Sequence, residues 1–421
     1  MTLTHTDAHP YSKLNLSNFD GNRGLPRHRW FEFKEGFSAD LVRLAVADLG
    51  RRRRPSMIDT FAGSGTTLVE AGRMGLRATG IEVNPFLSFA ASSKIAPSIM
   101  RAAHFRTVLD ALVENAPKQL RSPLEGQSTF TERPASEKWL FNKDVLRSFT
   151  ALQKAIRSKR SLAGPFELAL LSALLDCSNA KRDGKCLRYK AGWAQMSITS
   201  DDLRTCFRQK KENVIDDLSD DGFDHRQVQV ITGDCRAALK NLEPNSHDLW
   251  ITSPPYLNSF DYSDVYRPEL FAAGFVKSNE DLRRVRRNTI CSHVQIKRQY
   301  SDVVSSALLH PVLESMAGCD LWNKDIPGMI RTYFLDLFLV CKSMRLIVRP
   351  GGKAWIVVST SAYAGVEVPV DLILADIASK AGWKLAGIYV LRQLRAAGQY
   401  WNTLGKGVRP PLRESLIVLE R

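Results

Sequence analysis

Met57-Ile58-Asp59-Thr60-Phe61-Ala62-Gly63-Ser64-Gly65-Thr66-Thr67 is the stretch that decides how this chain folds. Its opening, 57–61, is a short apolar run that reads as a buried strand. Gly63 and Gly65 then let the backbone turn sharply and let a ligand come close to it. Thr67 with Glu70 makes a capping box, which predicts the start of a helix whose amino end attracts a carboxylate or phosphate. Strand, glycine turn and helix are the repeating unit of a doubly wound α/β sheet. A nicotinamide-type GxGxxG is excluded because Leu68 stands at the third glycine position, and the Gly-Lys-Ser/Thr of a P-loop is missing. Ala78-Thr79-Gly80-Ile81-Glu82 reads as the second strand, ending in an acid that can accept from both hydroxyls of a ribose. Asn84 and Pro85 then open another helix.

The second organising stretch is Thr252-Ser253-Pro254-Pro255-Tyr256, preceded by the apolar His247-Asp248-Leu249-Trp250-Ile251. The two prolines forbid helix and further sheet pairing, since each lacks an N–H and has a fixed φ. The residue before each is held extended. A stiff turn at the carboxyl end of a strand results, where open α/β sheets take their ligands. It offers the Ser253 hydroxyl, the carbonyls of Ser253 and Pro254, and the aromatic face of Tyr256. A planar ring bearing an amino group fits that set: the ring stacks and the amine donates.

Among 421 residues, 59 Lys+Arg against 44 Asp+Glu give a formal charge of +15, which points to a polyanionic partner, nucleic acid first. The seven cysteines form no CxxC, so a zinc cluster is not expected and a reduced cytoplasm is. No signal peptide is read at the start. No apolar run reaches the length of a membrane span; even 333–341 is short and interrupted by Asp336.

Residues 1–27, polar and rich in Gly, Asn, His and Pro, are expected to form a flexible or loosely draped arm. Ser38 caps a helix whose stripe is Leu41, Val42, Ala45, Val46 and Leu49. The four arginines 51–54 suit either phosphate or a solvated loop. From 98 to 226 the sheet pattern gives way to helical periodicity near 98–115, 137–158, 165–179 and 200–218. Between the last two lies a basic loop with Lys181, Arg182, Lys185, Arg188 and Lys190, read as a DNA contact, with a solvated loop as the alternative. A strand at 227–234 ends in Gly-Asp234. A second, loop-rich insertion, 257–330, carries Phe260, Tyr262 and the cluster Arg283, Arg284, Arg286, Arg287, also read as contacts to nucleic acid. A hairpin-like pair, 383–391 and 415–419, closes the chain.

The motif Asp59-Thr-Phe-Ala-Gly-Ser-Gly-Thr-Thr67, with Glu82 and Ser253-Pro-Pro-Tyr256, resembles the S-adenosylmethionine-dependent amino-methyltransferases of DNA, which act on cytosine N4 or adenine N6. The resemblance covers the catalytic core. It implies a class I, Rossmann-like doubly wound and mostly parallel sheet. The core would be split into a cofactor-binding part, 28–97, and a target-base part, 227–421, with the helical insertion 98–226 between them. It implies that Phe61, Gly63, Gly65 and Thr66 line the methionine end of S-adenosylmethionine, with Asp59 and Thr67 in the same set. Phe33 lies in the segment that closes over the methionine, together with Phe31. Glu82 would bind the ribose, Val83 would pack on the adenine, and Asp234 would sit near the adenine amino group.

Ser253, Pro254, Pro255 and Tyr256 would carry the chemistry. Ser at position 253 leans toward cytosine in this family, where Asp or Asn leans toward adenine. The absence of any Pro-Cys argues against attack by a thiolate at cytosine C5. The implied partners are double-stranded DNA and a restriction enzyme or other defence component; no membrane or metal is implied. RNA as substrate, or a non-catalytic binding module on the same fold, stay open as alternatives. The order departs from that of many members: here the glycine loop precedes the Pro-Pro-Tyr turn, so which insertion reads the target is left open.

Overall fold

The computed structural model describes residues 11, 14–50, 54–99, 102–133, 137–159, 163–183, 186–219, 222–296, 300, 304–394 and 412–421. In chain order, α1 (Ala39–Asp48) precedes β1 (Met57–Asp59), α2 (Thr66–Arg73), β2 (Ala78–Glu82) and α3 (Pro85–Lys94). Then come α4 (Ala102–Asn115), α5 (Lys143–Arg157), α6 (Ala163–Asp176), β3 (Ala180–Asp183), β4 (Cys186–Tyr189) and α7 (Ser200–Leu218). The core resumes with β5 (Val228–Thr232), α8 (Cys235–Ala238) and β6 (His247–Thr252). The second insertion holds α9 (Tyr262–Val265), α10 (Arg267–Ala272), α11 (Asn279–Asn288) and α12 (Leu309–Met316), so it is more helical than its sequence suggests. Last are α13 (Ile326–Ile347), β7 (Val348–Ser359), β8 (Ser361–Tyr363), β9 (Val366–Val368), α14 (Val370–Lys380), β10 (Lys384–Gln393) and β11 (Arg413–Glu420).

Seven strands form one sheet in the order β10-β11-β7-β6-β1-β2-β5. From β7 to β5 all neighbours are parallel, while β11 runs antiparallel to both β7 and β10. The fold is thus a doubly wound, Rossmann-like α/β sheet with a reversed pair at one edge. The chain winds from β1 outward to β5, then crosses back to β6 beside β1. Winding direction reverses between β1 and β6, and a crevice opens at their carboxyl ends.

Side chains of each strand alternate between two cores, as the period of two requires. Ile58, Trp250 and Ile356 face the side covered by α13 and α14, whereas Met57, Leu249, Ile251, Trp355 and Val357 face α1 and α2. A third core joins α3 to α5, α6 and α7 of the inserted region. Ser38 caps α1 by accepting from the Leu41 amide at 3.3 Å, as its sequence implies. Asn84 caps α3 through the amides of Phe86 and Leu87.

Three expectations are corrected. The capping box at Thr67 and Glu70 does not form: Gly65 caps α2 at φ +88°, and the Glu70 carboxylate is drawn away to buried His28 and to Arg43. Residues 14–27 are no loose arm. Leu16, Phe19, Asn22 and Arg27 are buried, Asn22 bridges to Phe37 and Ala39, and the Arg27 guanidinium donates to the carbonyls of Lys94 and Ala96. The basic stretch from Lys181 is a β-hairpin, Ala180 pairing with Tyr189 and Asp183 with Cys186. Lys185, the arginines 51–53 and most of the segment between β10 and β11 lie outside the described residues.

Candidate active site

The strand ends at the crevice are locked together before any ligand is considered. Asp59, at the end of β1, is buried. It accepts from the Thr252 hydroxyl on β6 at 2.7 Å, from the Thr67 hydroxyl on α2 at 2.8 Å and from the Phe61 amide at 3.1 Å. Thr60 accepts from the Trp250 indole at 3.1 Å. Burial raises the Asp59 carboxyl to about 6 despite these donors.

Above this lock lies a cavity of about 350 Å³ whose wall includes Phe33, Phe61, Gly63, Thr66, Glu82, Val83 and Asp234 on one side. The Glu82 carboxylate accepts from the Gly63 amide and from the Asn84 amide, both at 2.8 Å, which aims it across the end of β2. Its burial pushes its pKa up to about 7, against the pull of those two amides. Gly63 sits at φ +51°, and a Cβ there would fall 2.6 Å from the Phe33 ring, so only glycine lets the aromatic close over the loop. Asp234 caps α8 and is gripped by Arg236, which also donates to Asp336.

The other side of the cavity holds Ser253, Pro254, Pro255, Tyr256, Phe260 and Tyr262. Tyr333 of α13 donates its hydroxyl to the Pro255 carbonyl, and Tyr363 donates to the Leu257 carbonyl, each at 2.9 Å. The Tyr256 amide donates to the Tyr262 hydroxyl at 3.4 Å, and the Phe260 and Tyr262 rings meet edge to face at 4.4 Å. The turn that sequence identified as rigid is therefore also bolted from below by two buried phenols.

Some named residues stay out of the wall. Asp59 and Thr67 act beneath it as the lock just described. Gly65 packs on α3, where an added Cβ would come 2.9 Å from the Ala91 methyl. Phe31 is buried against Phe86.

Among the basic residues, Lys181 and Arg188 are exposed on the hairpin, and Lys190 donates to the Asp176 carbonyl. Arg182 is turned inward instead: it pairs with fully buried Glu269, and its guanidinium lies 4.3 Å from the Tyr266 ring centre. Alternation along a hairpin strand puts it on the face opposite Lys181. Arg283, Arg284 and Arg287 are exposed on α11, a helix begun by a Ser278–Asp281 capping box. Arg286, one helical step away, points in, with its Nε 2.6 Å from Asp261.

Sequence reading missed Glu35, which lines the cavity and accepts from the Tyr266 hydroxyl at 2.5 Å, and it missed the pair Arg392 and Glu414. Neither carries a motif; each is brought to the crevice by packing alone. Among the described residues, no group of three or more His, Cys, Asp or Glu could hold a metal ion, and no helix is long and apolar enough to cross a membrane.

No family model matches the chain. It is similar to the Type II methyltransferase M.BsoBI of Geobacillus stearothermophilus, 24% identical across 96% of this chain and 88% of that protein. It is also similar to the Type II methyltransferase M.AvaI of a Nostoc species, 25% identical across 97% of this chain and 89% of that protein. Solved structures that align with it include the rRNA methyltransferase aviRa of Streptomyces viridochromogenes, at 12% identity, 98% of this chain, 90% of that chain and a TM-score of 0.27. That superposition is too loose to add to what the strand order says. A Rossmann-like sheet with a crevice at its switch point thus goes together with similarity, along nearly the whole chain, to Type II methyltransferases.

Proposed function

We propose that this protein is a site-specific DNA methyltransferase that methylates the exocyclic N4 of cytosine in double-stranded DNA. The observation that carries the reading is that the Ser253–Tyr256 turn and the Gly63–Glu82 wall border one cavity. Similarity to Type II methyltransferases supports DNA as the substrate and a cognate restriction enzyme as the partner, and both would work in the cytoplasm.

The residues present fit the cofactor. Glu82 is a buried acceptor for ribose hydroxyls, Val83 and Phe61 offer apolar faces, Asp234 lines the same cavity, and Phe33 closes against Gly63. When bound, S-adenosylmethionine supplies an electrophilic methyl group on its sulfonium. The protein must then correct a poor nucleophile, because the lone pair of an aromatic amine is delocalised into the ring. The carbonyls of Ser253 and Pro254 hold the amine hydrogens and draw the nitrogen toward a tetrahedral form, freeing the lone pair. Tyr256 stacks on the base once it has left the duplex. Positioning and preorganised acceptors account for the catalysis, and one amine proton is lost to solvent after transfer. Lys181, Arg188, Arg283, Arg284 and Arg287 are the exposed cations suited to the DNA backbone.

Purified protein, duplex DNA and labelled cofactor, followed by nucleoside mass spectrometry, test the reading. N4-methylcytosine is the expected product. N6-methyladenine alone would overturn the choice of base and leave the amine chemistry, and label in RNA alone would overturn DNA as substrate.

A further inference from the structure

We propose that Arg392, clamped by Glu414, reads the ring edge of the target base and so sets its identity and its orientation. The assignment deepens the cytosine reading above and rests on it. Arg392 and Glu414 are register partners on β10 and β11, at the end of that pair lying beside the cavity, and both line it with Ser253 and Tyr256. The register shifts between Val390 and Arg392, so a β-bulge sits immediately before the arginine. Bulges of this kind re-aim one side chain out of the regular alternation and recur next to active sites.

Glu414 is buried, its side chain 5% exposed, while the Arg392 side chain is 43% exposed. The pairing is bidentate and side-on, Nε to Oε2 at 2.5 Å and Nη2 to Oε1 at 3.0 Å. That geometry fixes the guanidinium plane and takes no hydrogen from Nη1. Ser253, Tyr256, Arg392 and Glu414 line one cavity, so the pair shares the space of the amine-holding turn.

The chemistry of the base supplies the rest. Along its edge cytosine carries the N4 amine, then the N3 acceptor, then the O2 acceptor. Adenine carries the N6 amine, the N1 acceptor and a bare C–H. A planar donor opposite the turn therefore has two acceptors to meet on cytosine and one on adenine, and a bidentate guanidinium contact discriminates by about tenfold to a hundredfold. N3 is also the better intrinsic nucleophile of the free base, so a donor held on it keeps the methyl for N4. An unpaired guanidinium would withdraw electrons from the ring; neutralisation by Glu414 limits that loss. Both members of the pair are thus needed, one to donate and one to orient and to temper.

The test is R392M, R392K and the double variant R392M/E414L, the last because R392M alone strands a buried carboxylate. Cofactor affinity by calorimetry, DNA affinity at several salt concentrations, and single-turnover rates on cytosine and adenine duplexes are measured on full-length protein, with thermal unfolding as the folding control. R392M and the double variant are expected to bind cofactor within about twofold of wild type and to keep the salt slope of DNA binding. They are expected to lose about tenfold to a hundredfold in the cytosine rate, with a smaller gap between cytosine and adenine. R392K, with charge but no fork, is expected to resemble R392M. A cytosine rate within threefold of wild type, or a salt slope reduced by about one, would overturn the assignment, the second making Arg392 a phosphate contact. A wild type that never forms N4-methylcytosine overturns the cytosine reading and this assignment together; a productive wild type with an indifferent double variant overturns this assignment alone.

Discussion

The two sides of the cavity are built by different means. The Gly63–Glu82 side comes mainly from one contiguous piece of chain, β1 through the start of α3, joined by Phe33 and Asp234, and works largely through backbone: a left-handed glycine, two amides aimed at a carboxylate, and a helix start. The Tyr256 side is assembled from β6, the second insertion and the reversed edge strands, and adds side chains from all of them to the carbonyls of the Ser253–Pro254 turn. Backbone geometry is intolerant, since almost any side chain spoils it. Side-chain geometry is adjustable, since each group can be exchanged without moving a strand. A fixed cofactor facing varied targets would want this division.

The largest expected break in the comparison is Tyr256→Ala. Cofactor affinity should stay within about twofold, while the single-turnover rate falls by about a hundredfold or more, as loss of stacking and alignment requires. A fall in cofactor affinity as large as the fall in rate would show the two sides are not separable. The mirror experiment is Gly63→Ala, which places a methyl against Phe33 in a backbone region costly for alanine. Cofactor affinity should drop by about tenfold to a hundredfold, as strain of ~1–3 kcal/mol implies, with DNA affinity unchanged. Glu82→Ala comes next, costing about 1–3 kcal/mol of cofactor binding in calorimetry; an unchanged affinity would remove Glu82 from the site.

Acidity sharpens the same point. Glu82 in the folded protein is raised from 4.5 to about 7 by burial. Between those values the folded state holds a proton that the unfolded state has released, so this group's contribution to stability is greatest below 4.5 and is lost as pH rises through 7. The proposed role of Glu82 on the ribose requires the carboxylate, so cofactor affinity should run the other way, weakening as pH falls from 8 to 6. Calorimetry of wild type and Glu82→Gln, the latter flat across that range, checks the sign.

The smallest effects per residue belong to the outer surface. Neutralising Arg283, Arg284 and Arg287 together should lower DNA affinity for all sequences and reduce the salt slope by up to about three. Arg182→Gln and Arg286→Gln should instead lower thermal stability, because each leaves a buried acid without its partner. If both groups of arginines change the salt slope equally, the distinction between inner and outer arginines is wrong.

By itself the sequence determined the parts whose causes are local. Glycine at 63 and 65, the paired prolines at 254 and 255, and the cap at Asn84 state their conformations in their own covalent structure, so β1, its loop, β2 and the turn after β6 were all legible. Tertiary structure alone decided the rest. The Thr67–Glu70 box was outbid by His28 and Arg43, because a buried carboxylate gains more from fixed partners than from a helix end. Two arginines in basic clusters turned inward because buried acids far along the chain met them, a fact no spacing encodes. Glu35, Arg392 and Glu414 reached the cavity through packing: strand order, and for Arg392 the bulge before it, set which side chains share a space, and the chain must fold before those neighbours exist.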